Sequence, residues 1–183
     1  MTDRSDPLIR PATPTDLAAI RTIYADAVIN GCASFEIEPP DVAEMAARMA
    51  KIREAGLPWF VAEVDGRVLG YAYAGPYRPR PAYRFTVENS VYVAPDAKGR
   101  GLGRALLAAL IEATTALGLR QMLAVIGDSA NTASIGLHAA LGFTHAGLLT
   151  SVGWKHGRWL DSVLMRRPLG PGDETPPTTR PMP

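Results

Sequence analysis

The stretch that decides the fold runs Thr86-Val87-Glu88-Asn89-Ser90-Val91-Tyr92-Val93, then Ala94-Pro95-Asp96-Ala97, then Lys98-Gly99-Arg100-Gly101-Leu102-Gly103-Arg104. With Phe85 in front, residues 85, 87, 89, 91 and 93 alternate against Thr86, Glu88, Ser90 and Tyr92, the period of a β-strand, and Pro95 stops it. Beyond the glycines, Leu106, Leu107, Leu110, Ile111 and Ala113 recur at helical spacing as far as Gly118. A strand, a glycine turn and a helix in that order bring free N–H groups and the positive end of a helix dipole to the turn, which favours an anion there. Glycines let the backbone approach the ligand, and Lys98, Arg100 and Arg104 add positive charge, so a pyrophosphate matches better than one carboxylate. The other reading is an ordinary glycine turn flanked by solvated cations. No Gly-Lys-Ser/Thr closes a P-loop, and the third glycine comes one residue early for Gly-x-Gly-x-x-Gly, which disfavours ATP and dinucleotides.

Upstream, Ile9 marks a short strand, and Thr13-Pro14-Thr15-Asp16 reads as a helix start with N-cap, proline and acid in order. Leu17, Ile20, Tyr24, Ala27 and Val28 give this helix its inward face, and Asn30-Gly31 ends it. A second capping box, Asp41 to Glu44, opens a helix carrying Val42, Met45, Met49 and Ile52 to Gly56. Strands are expected at Trp59 to Val64 and Val68 to Ala74 around the hairpin signal Asp65-Gly66. Gly75 to Pro81, with prolines at 76, 79 and 81, is expected to leave the sheet as a surface loop. Downstream come a strand at Met122 to Ile126, a helix from Asp128–Asn131 to Gly142, and strands at Thr144 to Val152 and Trp159 to Met165 around Lys155-His156-Gly157. One domain, 1–169, accounts for this pattern. Residues 170–183 hold five of the sixteen prolines and are expected to be a disordered tail.

Composition narrows the function classes. A chain of 183 residues suits a single domain, and 47% hydrophobic residues suffice for a core. Nineteen Lys and Arg against eighteen Asp and Glu leave a net charge of +1, which disfavours nucleic acid as a partner. Cys32 has no second cysteine, and His138, His145 and His156 lack metal-ligand spacing, so no metal is expected. Met1 to Asp6 lacks the blocks of a signal peptide, and no apolar run reaches the ~18 residues of a membrane span, so the expected address is the cytosol.

Taken together, Lys98-x-x-Gly101-x-Gly103 between strand and helix, Asn131, and Leu137-His138-Ala139-Ala140-Leu141-Gly142-Phe143 resemble the GNAT superfamily of N-acetyltransferases. More narrowly, Thr86 to Val93, the His138 segment and Lys155-His156-Gly157-Arg158-Trp159-Leu160-Asp161 look like its phosphinothricin and methionine-sulfoximine acetyltransferase branch. The likeness covers about Ile9 to Arg166, and Lys98 departs from the usual Gln/Arg while keeping a cation. It implies an α/β fold with a twisted, mostly antiparallel mixed sheet flanked by about four helices. It implies acetyl-CoA as co-substrate, its pyrophosphate on Lys98, Gly99, Arg100, Gly101, Leu102, Gly103 and Arg104. Tyr92 and Val93 would line the pantetheine arm, the Val91 N–H would meet the thioester carbonyl where a bulge splays the strand, and Asn131 would add a contact.

Acetyl transfer to an amine needs a base for the ammonium proton and a proton for the departing thiolate. The resemblance gives Glu88 the first task; on its residues alone the favoured reading is a surface or salt-bridged glutamate near Arg84. His138 stands where the superfamily commonly has a tyrosine acid, and an imidazole can donate or accept. Substrate recognition is expected from Phe35 and Glu36 and from the loop bearing Arg78, Arg80, Tyr83 and Arg84, whose cations could hold an α-carboxylate and a phosphinate, sulfone or sulfoximine oxygen. The resulting expectation is direct acetylation of the α-amine of a small amino-acid analogue by a homodimer. Another amine, or an acetyl-CoA sensor without turnover, is the alternative.

Overall fold

The computed structural model describes residues 6–177. Strand β1 (Leu8–Pro11) leads into helix α1 (Leu17–Asn30), then α2 (Val42–Glu54), β2 (Trp59–Val64), β3 (Arg67–Pro76) and β4 (Thr86–Val93). Helix α3 (Leu102–Ala116), β5 (Gln121–Gly127), α4 (Thr132–Ala140), β6 (Thr144–Lys155) and β7 (Arg158–Pro168) complete the chain. The seven strands form one sheet in the order β1-β2-β3-β4-β5-β7-β6, antiparallel throughout except for the β4–β5 pair. That parallel pair follows from the α3 crossover between them, since parallel neighbours need a long connection.

Alternate residues of β4 point to opposite sides, and this sorts the helices. Tyr92 meets Tyr24 of α1 edge-on, with ring centroids 5.1 Å apart, so even-numbered positions face α1 and α2. Val91 and Val93 lie against Gly103 of α3, and Asn89 touches His138 of α4, so odd positions face α3 and α4. Both sides are filled by apolar residues, Ile20, Val28 and Met45 among them on one side and Leu106, Leu107 and Leu110 on the other. No helix among the described residues is long and apolar enough to cross a membrane.

The start of α1 is tighter than its capping box suggests. Pro14–Asp16 forms a 3-10 turn, and Asp16 accepts from the Thr13 N–H at 2.7 Å and from both Arg10 terminal nitrogens at 2.8 Å. Burial would raise this carboxyl, yet the Arg10 guanidinium pulls it down to about 2. Asp41 caps α2 as expected, accepting from the Glu44 N–H at 2.7 Å.

Gly75 and Pro76 do not leave the sheet. They continue β3 opposite Glu88 and Val87, beyond the last pairing of β2 at Trp59↔Tyr73. With no strand on its other side, Pro76 has no second ladder to disrupt, which is why it is tolerated. The expectation of a disordered tail falls partly outside the described residues. Within 170–177, Arg120 Nε donates to the Gly172 carbonyl at 2.7 Å, and its Nη2 donates to the Thr175 carbonyl and, at 2.8 Å, to the Thr175 hydroxyl.

Candidate active site

The site begins where the sheet opens. The β4–β5 ladder ends at Asn89↔Ala124, while β4 stays with β3 as far as Val93↔Gly70 and β5 stays with β7 as far as Gly127↔Ser162. The Ala94 N–H bonds Leu69 and the Thr86 carbonyl accepts from Tyr77, so even-numbered β4 residues exchange hydrogen bonds with β3. The N–H groups of Val91 and Val93 therefore point across the opening, where β5 has already diverged. The expected bulge is not there: the β3–β4 register is unbroken, and the nearest register shift lies between β2 and β3, where Ala62 and Glu63 pair with Gly70 and Val68. Divergence of β5, not an inserted residue, frees the β4 amides.

A cavity of about 850 Å³ occupies this opening and extends to the glycine turn. Of the residues expected to hold the coenzyme, Val91, Tyr92, Val93, Lys98, Gly99, Gly101, Leu102, Gly103, Arg104 and Asn131 line it, and Arg100 does not. Gly99 (φ 74°) and Gly101 (φ 83°) adopt left-handed backbone, which costs a side-chain-bearing residue about 1–2 kcal/mol. Gly101 is also the N-cap of α3, and no side chain caps it, so the first amides of the helix are left for a ligand. None of Lys98, Arg100 and Arg104 is in an ion pair among the described residues. The cradle thus offers amides and uncompensated cations, the donor set a diphosphate requires. Asn131 caps α4, its Oδ1 accepting from the Ser134 N–H and its Nδ2 donating to the Gly127 carbonyl, both at 3.2 Å. It therefore meets the coenzyme cavity with its amide already engaged.

Glu88 and His138 are on opposite faces of β4. Glu88 faces α1 and α2, half-buried, with no ion-pair partner among the described residues, and burial pushes its carboxyl above the usual range. The salt bridge to Arg84 left open by the sequence is absent: Arg84 donates to the Pro81 carbonyl at 3.1 Å and its guanidinium lies over Phe85. His138 is buried on the other face, its Nδ1 2.8 Å from the Ser134 carbonyl and its Nε2 3.0 Å from Asn89 Oδ1. Burial lowers its pKa, and the contact with Ser134 opposes that. A small cavity at the end of the ladder is lined by Asn89, Val91, Ala124 and His138.

The expected substrate residues fall in two groups. The β3–β4 loop emerges two residues from Glu88; in it Arg78 lies over the rings of Tyr77 and Tyr83, and Arg80 is exposed. Phe35 and Glu36 belong to the α1–α2 loop, where Glu36 is bound to Arg48 at 2.7 Å. Sequence reasoning passed over what holds this loop. Lys155, 5% exposed, donates from Nζ to the Ser34 carbonyl at 2.7 Å, and Tyr24 shares a 2.9 Å hydrogen bond with the Ser34 hydroxyl. A Cβ at Gly127 or Gly153 would stand 2.7 or 2.5 Å from the Phe35 ring. Cys32 is half-buried on the cavity wall, with its Sγ 3.6 Å from Arg158. The sequence carried no signal for the burial of Lys155, because a lysine just before a tight turn is ordinarily solvated.

Amides freed by a divided sheet, beside a helix N-terminus with unpaired cations, form a site suited to a coenzyme diphosphate and the arm that follows it. The model of the acetyltransferase (GNAT) family matches residues 17–143. The chain is 60% identical over 169 residues to a phosphinothricin N-acetyltransferase of Alcaligenes faecalis, covering 92% of this chain and 86% of that one. It is 47% identical over 169 residues to an L-methionine sulfoximine/L-methionine sulfone acetyltransferase of Pseudomonas aeruginosa, covering 92% and 98%. A crystal structure of a phosphinothricin acetyltransferase from Sinorhizobium meliloti in complex with acetyl-CoA superposes with a TM-score of 0.92 at 50% identity, over 95% and 94% of the two chains. The chain belongs to the GNAT acetyltransferase family.

Proposed function

We propose that this protein transfers acetyl from acetyl-CoA directly to the α-amine of a small amino-acid analogue, with phosphinothricin, methionine sulfone and methionine sulfoximine as the first substrates to test. The relatives' names support the substrate class. The observation that carries the chemistry is Glu88: a carboxylate beside the sheet opening, kept from salt bridges and raised by burial, is suited to take a proton from an ammonium. The glycine turn with Lys98 and Arg104 holds the diphosphate, and the Val91 N–H receives the thioester carbonyl. Acetyl-CoA supplies the activated acetyl group; His138 supplies a proton on the far face of the strand. Arg78, Arg80 and Arg84 give the amine side a positive loop, which suits an α-carboxylate and disfavours polyamines. The protein works in the cytosol as a homodimer, with the exposed Leu148, Leu149, Val152, Trp154 and Trp159 at the β6–β7 edge as the surface to be covered.

The test is release of free CoA from acetyl-CoA across amino-acid analogues, cationic amines and peptides. Turnover with the amino-acid analogues supports the assignment. Preference for polyamines, or coenzyme binding without turnover on any amine, overturns it. Light scattering that gives a single-chain mass would remove the dimer.

A further inference from the structure

The hydrogen bonds around His138 form a chain whose two ends cannot turn. At one end is the Leu123 carbonyl, which accepts from Asn89 Nδ2 at 2.9 Å. At the other is the Ser134 carbonyl, 2.8 Å from His138 Nδ1. A backbone carbonyl can only accept, so the Asn89 amide must present its nitrogen to Leu123 and its oxygen to the imidazole. His138 Nε2, 3.0 Å from that oxygen, and Nδ1, facing Ser134, both then meet acceptors. Only a ring with a proton on each nitrogen satisfies the whole chain. A neutral ring leaves one nitrogen lone pair against an oxygen lone pair. The Ser134 hydroxyl, 3.5 Å from Nδ1, is too distant to relieve this.

We propose that Asn89 is a positioning residue that holds a proton on His138 Nε2, so that the ring enters the reaction as a proton donor and leaves the base role to Glu88. This inference rests on the catalytic placement of His138 proposed above. Nδ1 is tied to Ser134 on its own helix, so Nε2 is the nitrogen whose proton can leave. When it does, the Nε2–H bond breaks, the proton leaves Asn89 Oδ1 for the departing CoA thiolate and forms its S–H bond, and the ring remains neutral with Nδ1–H on Ser134. The contact with Asn89 is then unfavourable, which drives recovery of a proton from water. Burial works in the opposite direction, since a buried imidazolium is costly, so a proton held by the geometry is readily given up. The described contacts of the ring are Asn89 from β4, Ser134 from α4 and Phe143, whose ring meets it edge-on at 5.0 Å; none of them ionises. Glu88 lies on the opposite face of β4, and Arg167 Nη1 is engaged with the Leu141 carbonyl at 2.6 Å.

The experiment is nitrogen-15 NMR of the imidazoles in the full chain. Three histidines are present, and His138→Asn identifies the signal. In the wild-type protein the neutral form of His138 should keep its proton on Nδ1, facing the Ser134 carbonyl, and leave Nε2 bare against Asn89. Asn89→Leu should move the midpoint of this titration down by about one pH unit, and Asn89→Asp should move it up by about as much. The limb of the kcat–pH profile that reports the acid should shift with it, while the acetyl-CoA Kd changes less than about twofold. Equal midpoints in the three proteins, or a neutral wild-type ring protonated on Nε2, would overturn the inference. The wild-type spectrum decides even where the variants fail to fold. Shifts as expected in a protein that acetylates no amine would uphold the role of Asn89 and overturn the proposed function instead.

Discussion

Glu88 combines two properties that oppose each other: a carboxylate made more basic by burial is a better proton acceptor and a poorer contributor to folding. Glu88→Gln should lower kcat by about 100-fold or more while leaving the acetyl-CoA Kd within about twofold, measured by CoA release and calorimetry. Its effect on stability has the opposite sign. The folded state holds the Glu88 proton more tightly than the unfolded chain, so stability falls as pH rises from the ordinary glutamate range through the raised value. The glutamine variant should therefore melt above wild type at neutral pH, and the difference should vanish in acid, below the usual glutamate pKa. The position of Glu88 on an alternating strand was legible in the sequence, as was the position of His138 on a helix. Their separation by the strand was not, because it depends on which way α4 packs. Asn89 gave a signal that went unread: an amide among valines on the buried side of a strand must find partners.

At the scale of elements, the glycine turn was the most legible feature, since its conformation and its cations are both local properties. Gly101→Glu should weaken acetyl-CoA binding by more than about 100-fold by calorimetry, as it brings a carboxylate to an anion cradle in a left-handed position. A Cβ at Gly101 meets nothing within 4 Å, so the fold should survive the change with a modest loss of stability. The Asp16 cap reports on α1 in the same way. Its carboxyl is held down to about 2 by Arg10, so the stability it contributes is complete above the ordinary aspartate value of 3.8 and is lost as pH falls through about 2. Asp16→Ala should destabilise the protein by about 2 kcal/mol at neutral pH in urea unfolding, with the deficit shrinking toward the acid limit. The sheet opening was read correctly as a place but not as a cause. A bulge is a local insertion that sequence can suggest, whereas divergence of two strands is set by where β7 draws β5.

Over the whole molecule, the order of strands and helices followed from punctuation by Gly, Pro and capping residues. Composition says nothing of a single arginine such as Arg120, which reaches fifty-two residues along the chain to the Gly172 carbonyl. We expect removal of residues 170–183 to lower the melting temperature by about 2–4 °C, as loss of roughly 1 kcal/mol would in a domain of this size, with acetyl-CoA affinity unchanged. An unaltered melting curve would show that the Arg120 contacts contribute nothing.

The division of β4 into two working sides also constrains the kinetics. With the diphosphate cradle reached from the α3 side and Glu88 from the α1 side, neither reagent needs to vacate the enzyme before the other arrives, and no side chain needs to carry the acetyl group between them. Double-reciprocal plots at several fixed amine concentrations should intersect, as they do when both substrates are aboard together; parallel lines would mean that the protein itself is acylated in passing.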